Sequence, residues 1–212
     1  MGLTSTLYSF CFYLIHPLRA HDFINQDLPN SPSGFQRLSV YESLFVSWFF
    51  VILGGLFRLI LVLGSLSVFN NLLNSSDLPW GDLVSTSGTS GFYMILFTSF
   101  LDIIFYPLFG IFLIQIWEFF IKTYAYLLGE SKNVKQKVDS VLAVSLSSKV
   151  LLVIPFIGGF LEGIANMILI FVGLKKQFKM NSALAICVLL TPYVFFLGLS
   201  CLIIFSFVLM FQ

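Results

Sequence analysis

Residues 43–69 read SLFVSWFFVILGGLFRLILVLGSLSVF, a run of twenty-seven positions with one ionisable side chain, Arg58. A helix needs about 20 apolar residues to cross a hydrocarbon core about 30 Å thick. A run this long, with one charge, reads as a membrane span and not as the core helix of a soluble domain. The whole chain agrees. Of its 212 residues 58% are hydrophobic and 10% charged, and the mean hydropathy is +0.97. Soluble domains are about half apolar and about a quarter charged, so a soluble surface this poor in charge would aggregate. The net charge of +1 offers no basic footprint for nucleic acid, which is excluded as a partner.

Working outward, further apolar runs occupy 92–128, 138–154, 160–174 and 183–211. The second is unusually long, and Pro107 with Gly110 is expected to kink it while leaving one helix. The third holds four serines and Lys149. Pro155-Phe156-Ile157-Gly158-Gly159 breaks the chain between the third and fourth, with Gly158 or Gly159 expected at positive φ. Pro192 interrupts the fifth, where a neighbouring helix must accommodate the lost hydrogen bond. The expected fold is an all-α polytopic membrane protein. About five transmembrane helices form one domain at 40–212, after a cytoplasmic or interfacial amino-terminal segment at 1–39. Within that segment the apolar stretch 7–15 is too short to span. It is expected to lie along the membrane surface with His16, Arg19 and His21 near headgroups. Asn30-Ser31-Pro32-Ser33-Gly34 reads as a connector.

Cytoplasmic loops carry the excess of Lys and Arg. Lys132, Lys135 and Lys137 lie in one loop, Lys175, Lys176 and Lys179 in another, and Arg19 and Arg37 precede the first span. Loop 70–91 and turn 155–159 hold no Lys or Arg. Five spans then put the amino end in the cytoplasm and the carboxyl end outside. The expected location is the bacterial inner membrane, with an ER or Golgi membrane as the alternative for a eukaryote. No positive residue precedes 7–15 and no small-residue cleavage site follows, so a signal peptide is not expected. The Met1-to-Thr6 match to an acylation pattern and the sequon Asn74-Ser75-Ser76 carry no weight in a bacterial setting.

The second half holds a recognisable order. Tyr126-Leu127-Leu128-Gly129 leads into a basic loop and a serine-rich span, then Ile154-Pro155-Phe156-Ile157-Gly158-Gly159. A helix ending Gly173-Leu174-Lys175-Lys176 follows, and then a last span beginning at 183–185 and containing Pro192. This order resembles the Yip1 domain family, particularly its small bacterial members. Ile15-His16-Pro17-Leu18-Arg19, running on to Phe23, is similar to the proline-plus-aromatic segment before the first span there. The resemblance covers about residues 12–200 and implies five spans with a cytoplasmic amino end. It also implies, for eukaryotic members, a role in vesicle traffic and contacts with Rab GTPases; those members carry an Asp-Leu-Tyr-Gly-Pro motif that this chain lacks. For bacterial members it implies no settled biochemical activity.

Four ionisable groups fall within spans: Arg58, Asp102, Lys149 and Glu162. Charges at membrane depth are costly and face a bundle interior or water, either as structural ion pairs or as a polar pathway. Counted down from Phe69 and Phe92, Arg58 and Asp102 sit roughly 16 and 15 Å deep, and they are expected to pair. Gly54, Gly55, Gly159 and Gly163 are candidates for close helix packing. His16, His21 and Asp22 are loosely spaced for metal ligation, Pro17 intervenes, and interfacial anchoring is the expected role. Cys11, Cys187 and Cys201 have no ligand-like spacing and read as small hydrophobes. No nucleophile stands with a base and no phosphate loop occurs. The expectation is therefore not an enzyme, with no metal and no cofactor. A binding or assembly subunit that docks other integral membrane proteins or orders membrane lipids is expected instead. The alternative is a transport component moving lipid or ions through a seam of the four charges.

Overall fold

A computed structural model describes residues 3–26, 35–75, 81–130 and 132–210; the connector at 30–34 and Ser76 of the sequon lie outside them. The elements are α1 (Leu3–Ile15), α2 (Pro17–Gln26), α3 (Val40–Ser75), α4 (Gly81–Leu127), α5 (Val134–Ser145), a 3-10 segment (Leu146–Val153), α6 (Gly158–Gln177) and α7 (Ser182–Met210). Local sequence explains their ends. Ser39 and Glu42 form a reciprocal capping box at the start of α3: Ser39 N–H donates to Glu42 Oε2 at 2.8 Å, and Glu42 N–H donates to Ser39 Oγ at 3.2 Å. Gly129, at φ 78, closes α4 with bonds from Gly129 N to Tyr126 O and from Glu130 N to Ala125 O. That pattern needs the left-handed conformation that glycine adopts without strain.

The fold is that of a polytopic helical membrane protein. Among the described residues four helices are long and apolar enough to cross a membrane: Val40–Ser65, Leu96–Leu127, Gly158–Gln177 and Ser182–Val208. The second apolar run stays one helix through Pro107. A proline cannot donate to the carbonyl four residues back, which here is Ile103 O. The Trp48 indole N–H supplies the missing bond at 2.8 Å, tying α3 to α4.

The expected third span, 138–154, is corrected. It is a twelve-residue α-helix followed by an eight-residue 3-10 segment. Its serines contribute to the change. Ser145 and Ser147 donate to the carbonyls three residues back, Leu142 O at 2.8 Å and Val144 O at 2.7 Å, competing with the α-helical ladder. This stretch is enclosed by protein, with Val138, Val141 and Val144 fully buried. It runs antiparallel to α6. A Cβ on Gly173 would come within 2.8 Å of Val141 Cγ1, while Lys149 meets Glu162 near the other end.

The turn between them is also corrected. Phe156, not a glycine, takes positive φ at 63°, and Gly158 and Gly159 lie in the first turn of α6. Gly158 is small for a different reason: a Cβ there would sit 2.5 Å from Leu151 O. Gly54 meets the same constraint from α3, at 2.8 Å from Leu152 O, and a Cβ on Gly55 would come 3.0 Å from Ile103 Cδ1. A Cβ on Gly163 has no atom within 4 Å, so the Gly159–Gly163 face makes no close helix contact among the described residues.

The amino-terminal segment packs into the bundle. Phe10 and Tyr13 of α1 are fully buried, and the Phe10 ring stacks on Phe50 at 5.8 Å. Tyr13 Oη accepts from Leu38 N at 2.9 Å and donates to Gln36 O at 3.2 Å, while Ser9 Oγ accepts from Gln36 N at 2.7 Å. These two aromatic side chains therefore meet protein, where the sequence laid the stretch along the membrane surface.

The close approach at Gly54 makes a test. Gly54→Val must displace backbone, a change that typically costs about 1–3 kcal/mol. Gly64→Val, which enters open space, should cost less. Thermal melts in mild detergent should show Gly54→Val well below Gly64→Val; equal melting temperatures would mean α3 does not need that contact.

Candidate functional site

The intramembrane charges are brought to one place by α3, α4 and the hairpin of the 3-10 segment with α6. A cavity of about 600 Å³ lies between α3, α4 and the 3-10 segment, and Arg58, Asp102 and Lys149 all line it. The remaining wall is mainly apolar, from Val51, Ile103, Phe105, Phe109 and Leu152. Glu162 stands behind Lys149, with Lys149 Nζ at 2.9 Å from Glu162 Oε1. Ser148 Oγ donates to the same oxygen at 3.2 Å. The Lys149 ammonium lies 5.7 Å from the centre of the Tyr106 ring. Ser47 Oγ is 2.7 Å from both Leu44 O and Tyr106 Oη. Ser47 has a single proton, so its bond to Leu44 O makes Tyr106 the donor to Ser47.

The expected Arg58–Asp102 pair does not form. Among the described residues the ion pairs are Lys122–Glu118, Lys137–Glu130, Lys149–Glu162 and Lys176–Asp22. Arg58 and Asp102 share the cavity, both exposed, and neither has an ion pair among the described residues. Arg58 Nη2 lies 3.8 Å from where a Gly159 Cβ would be, so the guanidinium leans on the start of α6. An unpaired charge deep in a span costs about 2.5–3.5 kcal/mol on insertion scales, and this pocket holds two.

Sequence reasoning found the four charges but missed Trp48, Ser47, Tyr106 and Ser148, which position them. Pro107 was the signal for Trp48, because a proline inside a span demands a donor from a neighbour. Nothing in the sequence pointed to the other three.

His16, His21 and Asp22 do not converge. His16 is exposed, and Asp22 is held by Lys176 Nζ at 3.0 and 3.2 Å. Among the described residues no group of three His, Cys, Asp or Glu side chains is arranged to hold a metal. His21 is fully buried, with Nδ1 at 3.1 Å from Gln177 Nε2 and Nε2 unpartnered. Its role is to pack α2 on α6 beside Gly173. Burial pushes its pKa down to about 4; the Asp22 carboxylate opposes this and the Lys176 ammonium adds to it.

No known family, characterised protein or solved structure matches this chain.

Lys149→Leu and Glu162→Leu each strand a partly buried ion, so each alone should destabilise more than the double mutant. Their coupling should fall within about 0.5–3 kcal/mol. The Arg58→Leu and Asp102→Leu losses should simply add. Melts of both four-member cycles decide it, and coupling in the second cycle with none in the first would contradict the assignment.

For His21, the unfolded chain takes a proton near 6.5 while the folded one refuses it until about 4. Stability is therefore complete above pH 6.5 and declines as pH falls towards 4, by about 3 kcal/mol for a shift of this size. Melts from pH 7.5 to 4 should show that decline in the wild type and a shallower one in His21→Gln. Parallel curves would remove His21 as the cause.

Proposed function

We propose that this chain is a non-enzymatic, membrane-embedded binding or assembly subunit of Yip1-like type, whose site is the cavity between α3, α4 and the 3-10 segment. The observation that carries the reading is the gathering of Arg58, Asp102 and Lys149 into one apolar-walled space, with Arg58 and Asp102 in no ion pair among the described residues. Bilayer-facing proteins do not keep two uncompensated charges without something to meet them. Its partners are membrane lipids and other integral membrane proteins; it uses neither nucleic acid nor a cofactor.

We read it as a resident of the bacterial inner membrane, amino end inside and carboxyl end outside. The lysines after α4 and at the end of α6 support that orientation. The corrected third span leaves it intact. The 134–153 stretch and α6 enter and leave together as a hairpin, so the crossings stay odd in number whether or not the hairpin passes right through.

Transport through the same charges is the second reading, and accessibility separates the two. Cysteine can replace Ser99 or Phe105, both lining the cavity, in a chain whose Cys11, Cys187 and Cys201 are serine. An impermeant thiol reagent should then react from one side of sealed vesicles only. Reaction from both sides favours a pathway and counts against a binding subunit. Cysteine at Lys132 in the same background should react only when the reagent reaches the cytoplasmic side, and labelling from outside would invert the topology.

A further inference from the structure

We propose that the cavity holds the headgroup of a zwitterionic phospholipid, its phosphate against Arg58 and its ammonium against Asp102. This rests on the binding reading above and names its ligand.

Charge comes first. Lys149 is already neutralised by Glu162 at 2.9 Å, so the uncompensated charges of the cavity are one cation on α3 and one anion on α4. They face the same space without pairing with each other among the described residues. A ligand satisfying both must carry an anion and a cation on one short headgroup. An anionic lipid would satisfy Arg58 and be repelled by Asp102. A dissolved phosphate would likewise satisfy Arg58 alone.

The donor chemistry at the Arg58 end is that of a phosphate site. A guanidinium presents a planar fork to two phosphate oxygens. Beside it, α6 begins at Gly158, and Gly159 adds no side chain in front of the guanidinium. The positive end of that twenty-residue helix therefore adds to the attraction for an anion.

The apolar remainder of a lipid is accommodated as well. Phe105 and Phe109, exposed on α4, line the cavity, and Phe57 and Ile60 beside Arg58 on α3 are exposed too. Acyl chains leaving the cavity would lie along these faces. The position also fits a lipid: Arg58 reaches the first turn of α6, at the turn of the hairpin and not midway along it.

The test is lipid titration of the full-length protein in mild detergent, read by native mass spectrometry. The probes are dioleoyl phosphatidylethanolamine, dioleoyl phosphatidylglycerol and inorganic phosphate. The wild type should bind the ethanolamine lipid about tenfold more tightly than the glycerol lipid, and millimolar phosphate should not displace it. Arg58→Gln should lower binding of both lipids, and Arg58→Lys should recover part of it. Asp102→Asn should lower ethanolamine-lipid binding and raise glycerol-lipid binding, reversing the preference. Equal affinity of the wild type for the two lipids overturns the proposal, and that comparison does not depend on any variant folding. Displacement by phosphate overturns it in favour of a simple anion site. An unreversed preference in a folded Asp102→Asn overturns the ammonium assignment. Failure here leaves the binding reading to be judged separately, by the one-sided thiol reaction.

Discussion

Inside hydrocarbon no water is available to a backbone carbonyl, and Pro107 frees one at Ile103. The Trp48 indole that takes it over belongs to another helix, so satisfying the backbone of α4 fixes where α3 must stand. A carbonyl left unsatisfied in the bilayer would cost several kcal/mol, more than most single packing contacts. The small residues nearby follow from that placement. Gly55 lets α3 approach Ile103, and Gly110 lets the tip of Leu44 come where a Cβ would force it to shift. The two helices are held together on the Trp48 and Ser47 side, and the space left beside them is bounded by the 3-10 segment.

That third wall is built differently from the spans around it. The 134–153 stretch is wrapped by α1, α3, α4 and α6 and buries its valines on several sides, so it has no need of a lipid-facing stripe. A 3-10 segment has poorer hydrogen-bond geometry than an α-helix, and it persists here because tertiary packing surrounds it. Lys149 and Glu162 join it to α6 at the end nearest the cavity. The close fits at Gly54 and Gly158, both against its backbone carbonyls, leave it little room to shift. Burying α1 over this region gives the amino-terminal residues a structural part: Phe10, Tyr13, Val144 and Leu169 form one cluster.

The arrangement carries a tension between stability and function. Lys149 and Glu162 compensate each other, the Ser148 hydroxyl donates to Glu162, and the Tyr106 ring faces the Lys149 ammonium. Arg58 and Asp102 are left without that compensation, although they share a cavity. A purely structural role would place them in contact, because a paired charge is cheaper in a membrane than two separate ones. Their separation is the feature that makes the cavity a site.

Much of this was readable before any tertiary structure. The membrane class follows from runs such as 43–69, since only helices and closed barrels satisfy their backbones in lipid and length alone marks a helix that can span. The four costly charges, the single helix through Pro107 and the breaking turn at 155–159 were visible for the same local reasons. What the sequence could not carry was partnership. Whether Arg58 meets Asp102 depends on the rotation of two helices about their axes, which neither depth nor composition specifies. Whether 138–154 forms one α-helix depends on how completely neighbours enclose it. Whether Phe10 meets lipid or Phe50 depends on the path of residues 35–39, held by Ser9 and Tyr13. By itself the sequence determined which segments are apolar enough to span and which charges are expensive, because transfer free energy is a local property. Only the tertiary structure decided which charges are paired and which face a cavity, because pairing is set by the geometry between helices.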